Sequence, residues 1–369
     1  MRRALSVCAA ATAALVLVAA PATAHGSKDP RPPASETITS GLVTPLSLAV
    51  GPKGTTFVSQ NFAGLLTAVD RDGDATVIHA SADGAEVGAL SYADGVVTFA
   101  ESGADLTLRR LKVSTKGEPR GEARTVADLG AYEEAKNPDG KVVYGFRSLP
   151  ASCAAQFPED FPASYPGIVE SHPYATTSRR GTTYVADAAG NTILSVDSRG
   201  KIRTVAVLPA QPVKITAEVA AGQGLPDCVV GKKYWFEPVP TDVEVGPLGL
   251  LYVSLLPGGP EDASLGARGS VVVVSPWTGR VHTVADDLLS PTGVAVDSRG
   301  TVYVAQLFGG EISKLDRRGS TPVASVALPG DVELDGSDLL ATVNVLPPDE
   351  TSPPDGQLVR YSLSKHGHR

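Results

Sequence analysis

Three stretches of this chain repeat one pattern: TPLSLAVGPKGTTFVSQNFAGLLTAVDRDG from Thr44, HPYATTSRRGTTYVADAAGNTILSVDSRG from His172 and SPTGVAVDSRGTVYVAQLFGGEISKLDRRG from Ser290. Each runs as a short apolar strand, a polar turn ending in Gly, a second strand of β-branched and aromatic residues, a Gly-containing turn, and a third strand ending in Asp. Self-similarity at a period of about 40 residues, made of strands and turns alone, is the sequence signature of a β-propeller blade. Three weaker copies start at Gly88, Pro240 and Pro329. The copy at Pro240 aligns with the one at Pro291 without a gap, so that Gly249, Tyr252, Val253, Gly258 and Gly259 fall on Gly300, Tyr303, Val304, Gly309 and Gly310. The repeats predict an all-β fold: a six-bladed β-propeller of four-stranded antiparallel blades.

Each column has a physical reason. Gly54, Gly95, Gly181, Gly249 and Gly300 sit where the first hairpin turns and a positive φ is needed. Phe57, Tyr184, Tyr252 and Tyr303 put a ring on the second strand, between blades. The chain ends in QLVRYSL from Gln357, which lacks an outer strand, while ETITSGL from Glu36 is an outer strand with no blade of its own. This N-terminal strand is expected to complete blade six and close the ring, hiding the edge strands. Two insertions break the period, at about 130–171 and 209–238, one on either side of blade three.

Ahead of the repeats lies an export signal over 1–24: Arg2 and Arg3, the apolar stretch Ala4–Ala20, and the small-residue site Ala22-Thr23-Ala24. Residues 25–35 read as a flexible segment, 36–363 as the propeller and 364–369 as a disordered tail. Without the signal no apolar run approaches a membrane span, and the expectation is a secreted, extracellular monomer. Thirty basic against forty acidic residues remain once Arg2 and Arg3 are gone. That balance argues against nucleic acid as a partner and suits a cation or a neutral small molecule. Cys153 and Cys228, one in each insertion, are expected to form a disulfide in an oxidising compartment.

The strings NPDGKVVYGFRSLPASCAAQFP, SHPYA with YVADAAGN, and FEPVPTDVEVGPLGLLYVSLLPGGPEDASLGARGSV resemble the ScyD/ScyE family of exported propeller proteins. The likeness runs from about Thr39 to Leu363 and is more specific than that of a bare NHL-type or TolB-like repeat. It implies the six-bladed fold and carries no assigned reaction. Gln306 in YVAQLFGG stands where similar proteins often have Glu.

In such a blade the start of the first strand and the end of the second lie on one face, at the mouth of the central channel. Second-strand ends place Gln60, Glu101, Asp187 and Gln306 there, with Asn191 and Asn344 in the turns beyond. First-strand starts add Glu86, His172, Asp242 and Asp331. Glu101, Asp187, Asn191, Asp242, Asp331 and Asn344 are therefore the expected ligand contacts. Asp187, Asp242 and Asp331 are candidate ligands for Ca²⁺, since an oxygen-rich set with almost no imidazole suits a hard cation. Glu244 and Glu333 occupy a column where better repeats have Ala49 and Ala295, and they are read as structural. His172 and Asp187 are the candidate catalytic groups, and Tyr144, Phe146, Tyr234, Trp235 and Phe236 wall an apolar pocket or form the core of the insertions. No G-x-S-x-G, H-E-x-x-H or phosphate loop is present. Two functions follow: a non-catalytic binding or scaffold protein taking a small molecule or protein at the mouth, or a Ca²⁺-dependent hydrolase of the lactonase or esterase type with its metal in the channel.

Overall fold

A computed structural model describes residues 33–363 except 262, 317, 318 and 350. The expected export signal, most of the 25–35 segment and the expected 364–369 tail lie outside the described residues. The described residues form seven four-stranded antiparallel sheets. In six of them the strands follow the repeats. Blade one is Leu48–Val50, Thr56–Gln60, Leu65–Val69 and Ala75–Ala80; blade two is Glu86–Ala93, Val96–Ser102, Leu106–Lys112 and Arg124–Asp128. Blade three is Pro173–Arg179, Thr182–Asp187, Thr192–Val196 and Ile202–Val207; blade four is Pro240–Val245, Leu251–Leu255, Gly269–Val274 and Val281–Leu288. Blade five is Pro291–Val296, Val302–Gln306, Glu311–Asp316 and Gly319–Ser325. The last of the six takes Val332–Asp335, Asp338–Val343 and Gly356–Ser362 from the end of the chain and Ala34–Leu42 from its beginning. Ala34 pairs with Ser362 and Thr37 with Val359, and Arg360 reaches Glu36 across the same pair of strands at 3.2 Å. The strand starts two residues before the expected Glu36. First strands touch in a cycle, one to two through to six and six to one.

Local chemistry explains the punctuation. Asp94–Gly95 and Arg180–Gly181 both have positive φ at two successive residues, the geometry of a type I′ hairpin turn. The Asp that ends the third strand of blades one and three closes the next turn with its side chain. Asp70 Oδ1 accepts the N–H groups of Asp72 and Asp74, and Asp197 Oδ1 those of Arg199 and Lys201. The second-strand rings pack onto the following blade. Phe57 lies against Val87, Val97 and Phe99, Tyr184 against Val243 and Leu251, and Tyr303 against Leu339 and Tyr361.

The seventh sheet belongs to the insertions. Val143–Gly145, Ser164–Pro166, Lys233–Phe236 and Gln211–Lys214 pair into a sheet beside the helices Leu129–Lys136 and Ala217–Gly222. Each helix starts on a side-chain cap, Asp128 accepting from Ala131 N–H and Thr216 from Val219 N–H. The sheet has its own small core of Phe146, Cys153, Ile215, Ala220, Val229 and Tyr234. Tyr144 and Phe146 are thus core residues, and Trp235 lies 3.8 Å under the Arg147 guanidinium. Cys153 and Cys228 form a disulfide across this unit.

The bridge closes a loop of 75 residues, and restricting that loop in the unfolded chain stabilises the fold by about 4 kcal/mol. Replacing both cysteines by serine should lower the unfolding free energy by about that amount. Thiol titration of the denatured, unreduced chain lacking residues 1–24 should find no free thiol.

Candidate functional site

At the end of the second strand in blades one, three and five, one residue reaches back to the chain entering that blade. Gln60 Oε1 accepts Val43 N–H at 2.8 Å while its Nε2 donates to Thr67 Oγ1 at 2.8 Å. Gln306 repeats this in blade five, with Leu289 N–H at 2.7 Å and Ser313 Oγ at 2.7 Å. Asp187 does the same in blade three, Oδ1 accepting from His172 N–H at 2.8 Å and Gly190 N–H at 3.1 Å, and Oδ2 from Ser171 Oγ at 2.6 Å. Burial pushes the Asp187 carboxyl up, against the pull of those donors. In blade two the position is Glu101, whose carboxylate is taken by Arg109 of its own blade and by His79 Nε2 of blade one at 2.6 Å. Glu101 and Asp187, which sequence reading offered to a ligand, are therefore tied to the protein itself, as are Gln60 and Gln306 at the same strand ends.

The aspartates of the inner strands are tied as well. Asp242 Oδ2 accepts Val294 N–H of blade five at 2.6 Å, and Oδ1 accepts Val243 N–H at 2.7 Å. Asp331 Oδ2 accepts Leu48 N–H of blade one at 2.8 Å, and Oδ1 accepts Val332 N–H at 2.7 Å. Ser47, in the same column of blade one, accepts Leu90 N–H of blade two at 3.0 Å. Each side chain thus joins neighbouring inner strands. Burial, then the nearby Asp331 charge, holds the Asp242 carboxyl well above the usual carboxylate range.

Glu244 and Glu333 stand two residues further along the same strands. They line a polar cavity of about 570 Å³ with Ser91, Thr177, Ser178 and Arg179. Its other walls include the hairpin residues Gly246–Leu248, so it lies at the end of the channel opposite the predicted mouth. Burial, then the charge of Glu333, pushes the Glu244 carboxyl well up, and burial, then the charge of Asp331, lifts Glu333 to about 8.

At the mouth, Asn61 Nδ2 donates to Glu86 Oε1 at 2.8 Å, and Glu86 Oε2 meets His172 Nε2 at 3.0 Å. That hydrogen bond raises the His172 pKa above its ordinary value. Burial pushes Glu86 up, but His172 outweighs it and the net shift is downward. The candidate catalytic groups His172 and Asp187 meet only through the His172 main-chain N–H. Asn344, with φ of 52°, donates from its side chain to Asp355 at 3.3 Å and stays apart from the other five. Asp242 and Asp331 come together in the channel; Asp187 and Asn191 lie at the edge of the insertion sheet; Glu101 and Asn344 belong to separate networks.

Asn191 is where the insertions meet the ring. Its Nδ2 donates to Asp139 Oδ2 and to Glu237 Oε2, both at 3.0 Å, and its Oδ1 accepts Val239 N–H at 3.2 Å. Tyr165 Oη donates to Glu237 Oε1 at 2.8 Å. Beside Glu237 opens a pocket of about 380 Å³ walled by Phe161, Val219, Tyr234, Phe236 and Leu265, with Gln223 at its rim. Its far side is the loop Gly258–Pro260, pinned by Arg268, which donates to Gly258 O at 3.1 Å and Pro260 O at 3.0 Å and lies 4.5 Å from the Phe236 ring. A Cβ on Gly259 would stand 2.6 Å from Phe236, so a glycine keeps this wall close. Asp139, Tyr165 and Glu237 escaped sequence reading because the insertions have no repeat to align them on.

No family model and no curated protein matches this chain. Solved structures do match in fold. The PQQ-bound aldose sugar dehydrogenase of Streptomyces coelicolor has 16% identity and a TM-score of 0.52 over 90% of this chain and 99% of that one. A protein of unknown function from Bacteroides thetaiotaomicron has 12% identity and a TM-score of 0.54 over 89% and 75%. At these identities the likeness is one of β-propeller architecture.

Two outcomes separate the acids. Asp242→Ala leaves two buried N–H groups unpaired and should cost about 3 kcal/mol in denaturant unfolding. For Glu333, a folded pKa of about 8 against an ordinary 4.5 means that ionising it across that window subtracts stability. Glu333→Gln should therefore melt higher than the wild type at pH 9 and no higher at pH 4.

Proposed function

We propose that the protein is an exported binding propeller of the ScyD/ScyE type, taking a small, largely apolar molecule on its mouth face. The observation that carries this reading is the internal use of the mouth acids. Asp187, Asp242 and Asp331 already accept seven hydrogen bonds, six of them from main-chain N–H groups that a cation would have to displace, and Glu101 is paired with Arg109 and His79. A metal-dependent hydrolase centred on those residues is the weaker reading on that ground. The 380 Å³ pocket beside Glu237 supplies what a binding site needs: concave aromatic and aliphatic walls with a few fixed polar groups at one end. Phe236, Glu237, the loop Gly258–Pro260 and Leu265 of its lining belong to one of the strings that resemble the ScyD/ScyE family. Export agrees with the disulfide. Among the described residues no helix is long and apolar enough to cross a membrane.

A neutral aromatic dye such as Nile red should bind the protein saturably, one per chain. Gln223→Trp, which fills the pocket from an exposed rim position, should weaken that binding at least about tenfold without moving the melting temperature. Equal binding by both proteins would overturn the pocket assignment. Turnover of a lactone or aryl ester that depends on added Ca²⁺ and is lost with Asp242→Asn would overturn the non-catalytic reading.

A further inference from the structure

Among the described residues, the buried side-chain oxygens without a hydrogen-bond partner are Glu133 Oε1, Asn137 Oδ1, Asp139 Oδ1 and Thr192 Oγ1. All four lie where the helix Leu129–Lys136 and the turn after it meet blade three. Leu129 packs on Val185, Leu194 and Val196. Glu133 is one helical turn on from Leu129 and shares its face. Thr192 is two residues before Leu194, and Asp187 two after Val185, so both point to the same side of the sheet as those core residues. Glu133 thus settles over Thr192 and Asp187.

Asp139 arrives from the other side, its Oδ2 held by Asn191 Nδ2 and by Tyr144 Oη at 2.8 Å. Asn137 donates to Gly167 O at 3.1 Å, and a Cβ on Gly167 would stand 2.2 Å from Asp139 Oδ1. Only a glycine lets the backbone lie that close to this oxygen. Glu133 and Asp139 are 3% and 1% exposed, and both feel the negative charge of neighbouring carboxylates, Asp187 and Asp139 at Glu133, and Glu237 and Asp187 at Asp139. Burial, then Asp187 and Asp139, lifts the Glu133 carboxyl to about 7.

A buried carboxylate without a partner is costly unless a proton or a cation compensates it. Two carboxylates, an amide and a hydroxyl are hard oxygen donors, the set Ca²⁺ takes with water completing its shell. Among the described residues no three acidic, histidine or cysteine side chains converge as a ready-made site, so the neutral oxygens are required members. We propose that Glu133, Asn137, Asp139 and Thr192 hold a Ca²⁺ ion that locks the insertion helix onto blade three. This is a structural site, distinct from the channel cavity at Glu244 and Glu333 and linked to Glu237 of the pocket through Asn191.

The test uses the chain lacking residues 1–24, treated with chelator and dialysed. Calorimetric titration with CaCl₂ should give one site per chain, and Ca²⁺ should raise the melting temperature. Glu133→Gln should weaken binding at least about tenfold and abolish the thermal shift, while melting no lower than the wild type without Ca²⁺, since an amide replaces an uncompensated charge. If that variant fails to fold, Asp139→Asn takes its place with the same expectation. Glu333→Gln, in the channel, should keep the full response. No heat and no thermal shift up to millimolar Ca²⁺ would overturn the proposal. So would a response that survives Glu133→Gln or disappears with Glu333→Gln.

Discussion

The first strand of every blade is a sheet edge facing the axis, and its outward N–H and C=O groups have no neighbouring strand to pair with. Left alone in a buried channel, each such group would cost free energy comparable to a lost hydrogen bond. The ring depends on how these groups are satisfied. Ser47, Asp242 and Asp331 each accept the next blade's N–H, from Leu90, Val294 and Leu48. Thr241 donates to Pro291 O at 2.8 Å, Thr292 to Pro329 O at 3.4 Å, and Thr176 to Ala89 O at 2.7 Å. The junction between blades three and four has Ala175 in the aspartate column. There Asn191 takes Val239 N–H instead, and there the insertion sheet sits.

This accounts for an acidic mouth with little acid to spare. A carboxylate accepts two strong N–H bonds where a serine accepts one, so Asp242 and Asp331 join strands more firmly than Ser47 does. The cost is buried charge near the axis: burial raises the carboxyls of Asp242, Glu244, Asp331 and Glu333, and neighbouring acids add to it at Asp242, Glu244 and Glu333. An acidic residue near a propeller axis is thus ambiguous by itself. What decides is whether both of its oxygens already face main-chain donors.

The blade pattern was legible because it repeats. Pro240, Gly249 and Tyr252 fall on Pro291, Gly300 and Tyr303, and strand, turn and ring occupy the same places in both blades. The partnership of Glu36 with the Gln357 strand was legible from one blade lacking an outer strand and one strand lacking a blade. The role of Glu101 was not read, although a signal existed. Gln60 and Gln306 bond to Thr67 and Ser313 on the third strand, and the residue in that place in blade two is Arg109. An arginine opposite a glutamate, where other blades have hydroxyl opposite amide, points to an internal pair. Nothing comparable reveals the insertion sheet. Val143–Gly145 is short, its partners lie up to 90 residues away, and no second copy exists to align it with.

The spacing of the axial acids follows from volume as much as from charge. Gly293 stands in blade five in the column of Asp242 and Asp331, and a Cβ there would lie 2.5 Å from Asp331 Oδ1. Asp331 therefore requires the blade before it to present a glycine. Ala295 similarly stands in blade five in the column of Glu244 and Glu333. Acids on blades four and six with small residues on blade five is the arrangement that leaves each carboxylate room to reach its neighbour's main chain. An aspartate at position 293 would meet a filled space and a second charge at once, so the inner ring tolerates these acids only on alternate blades.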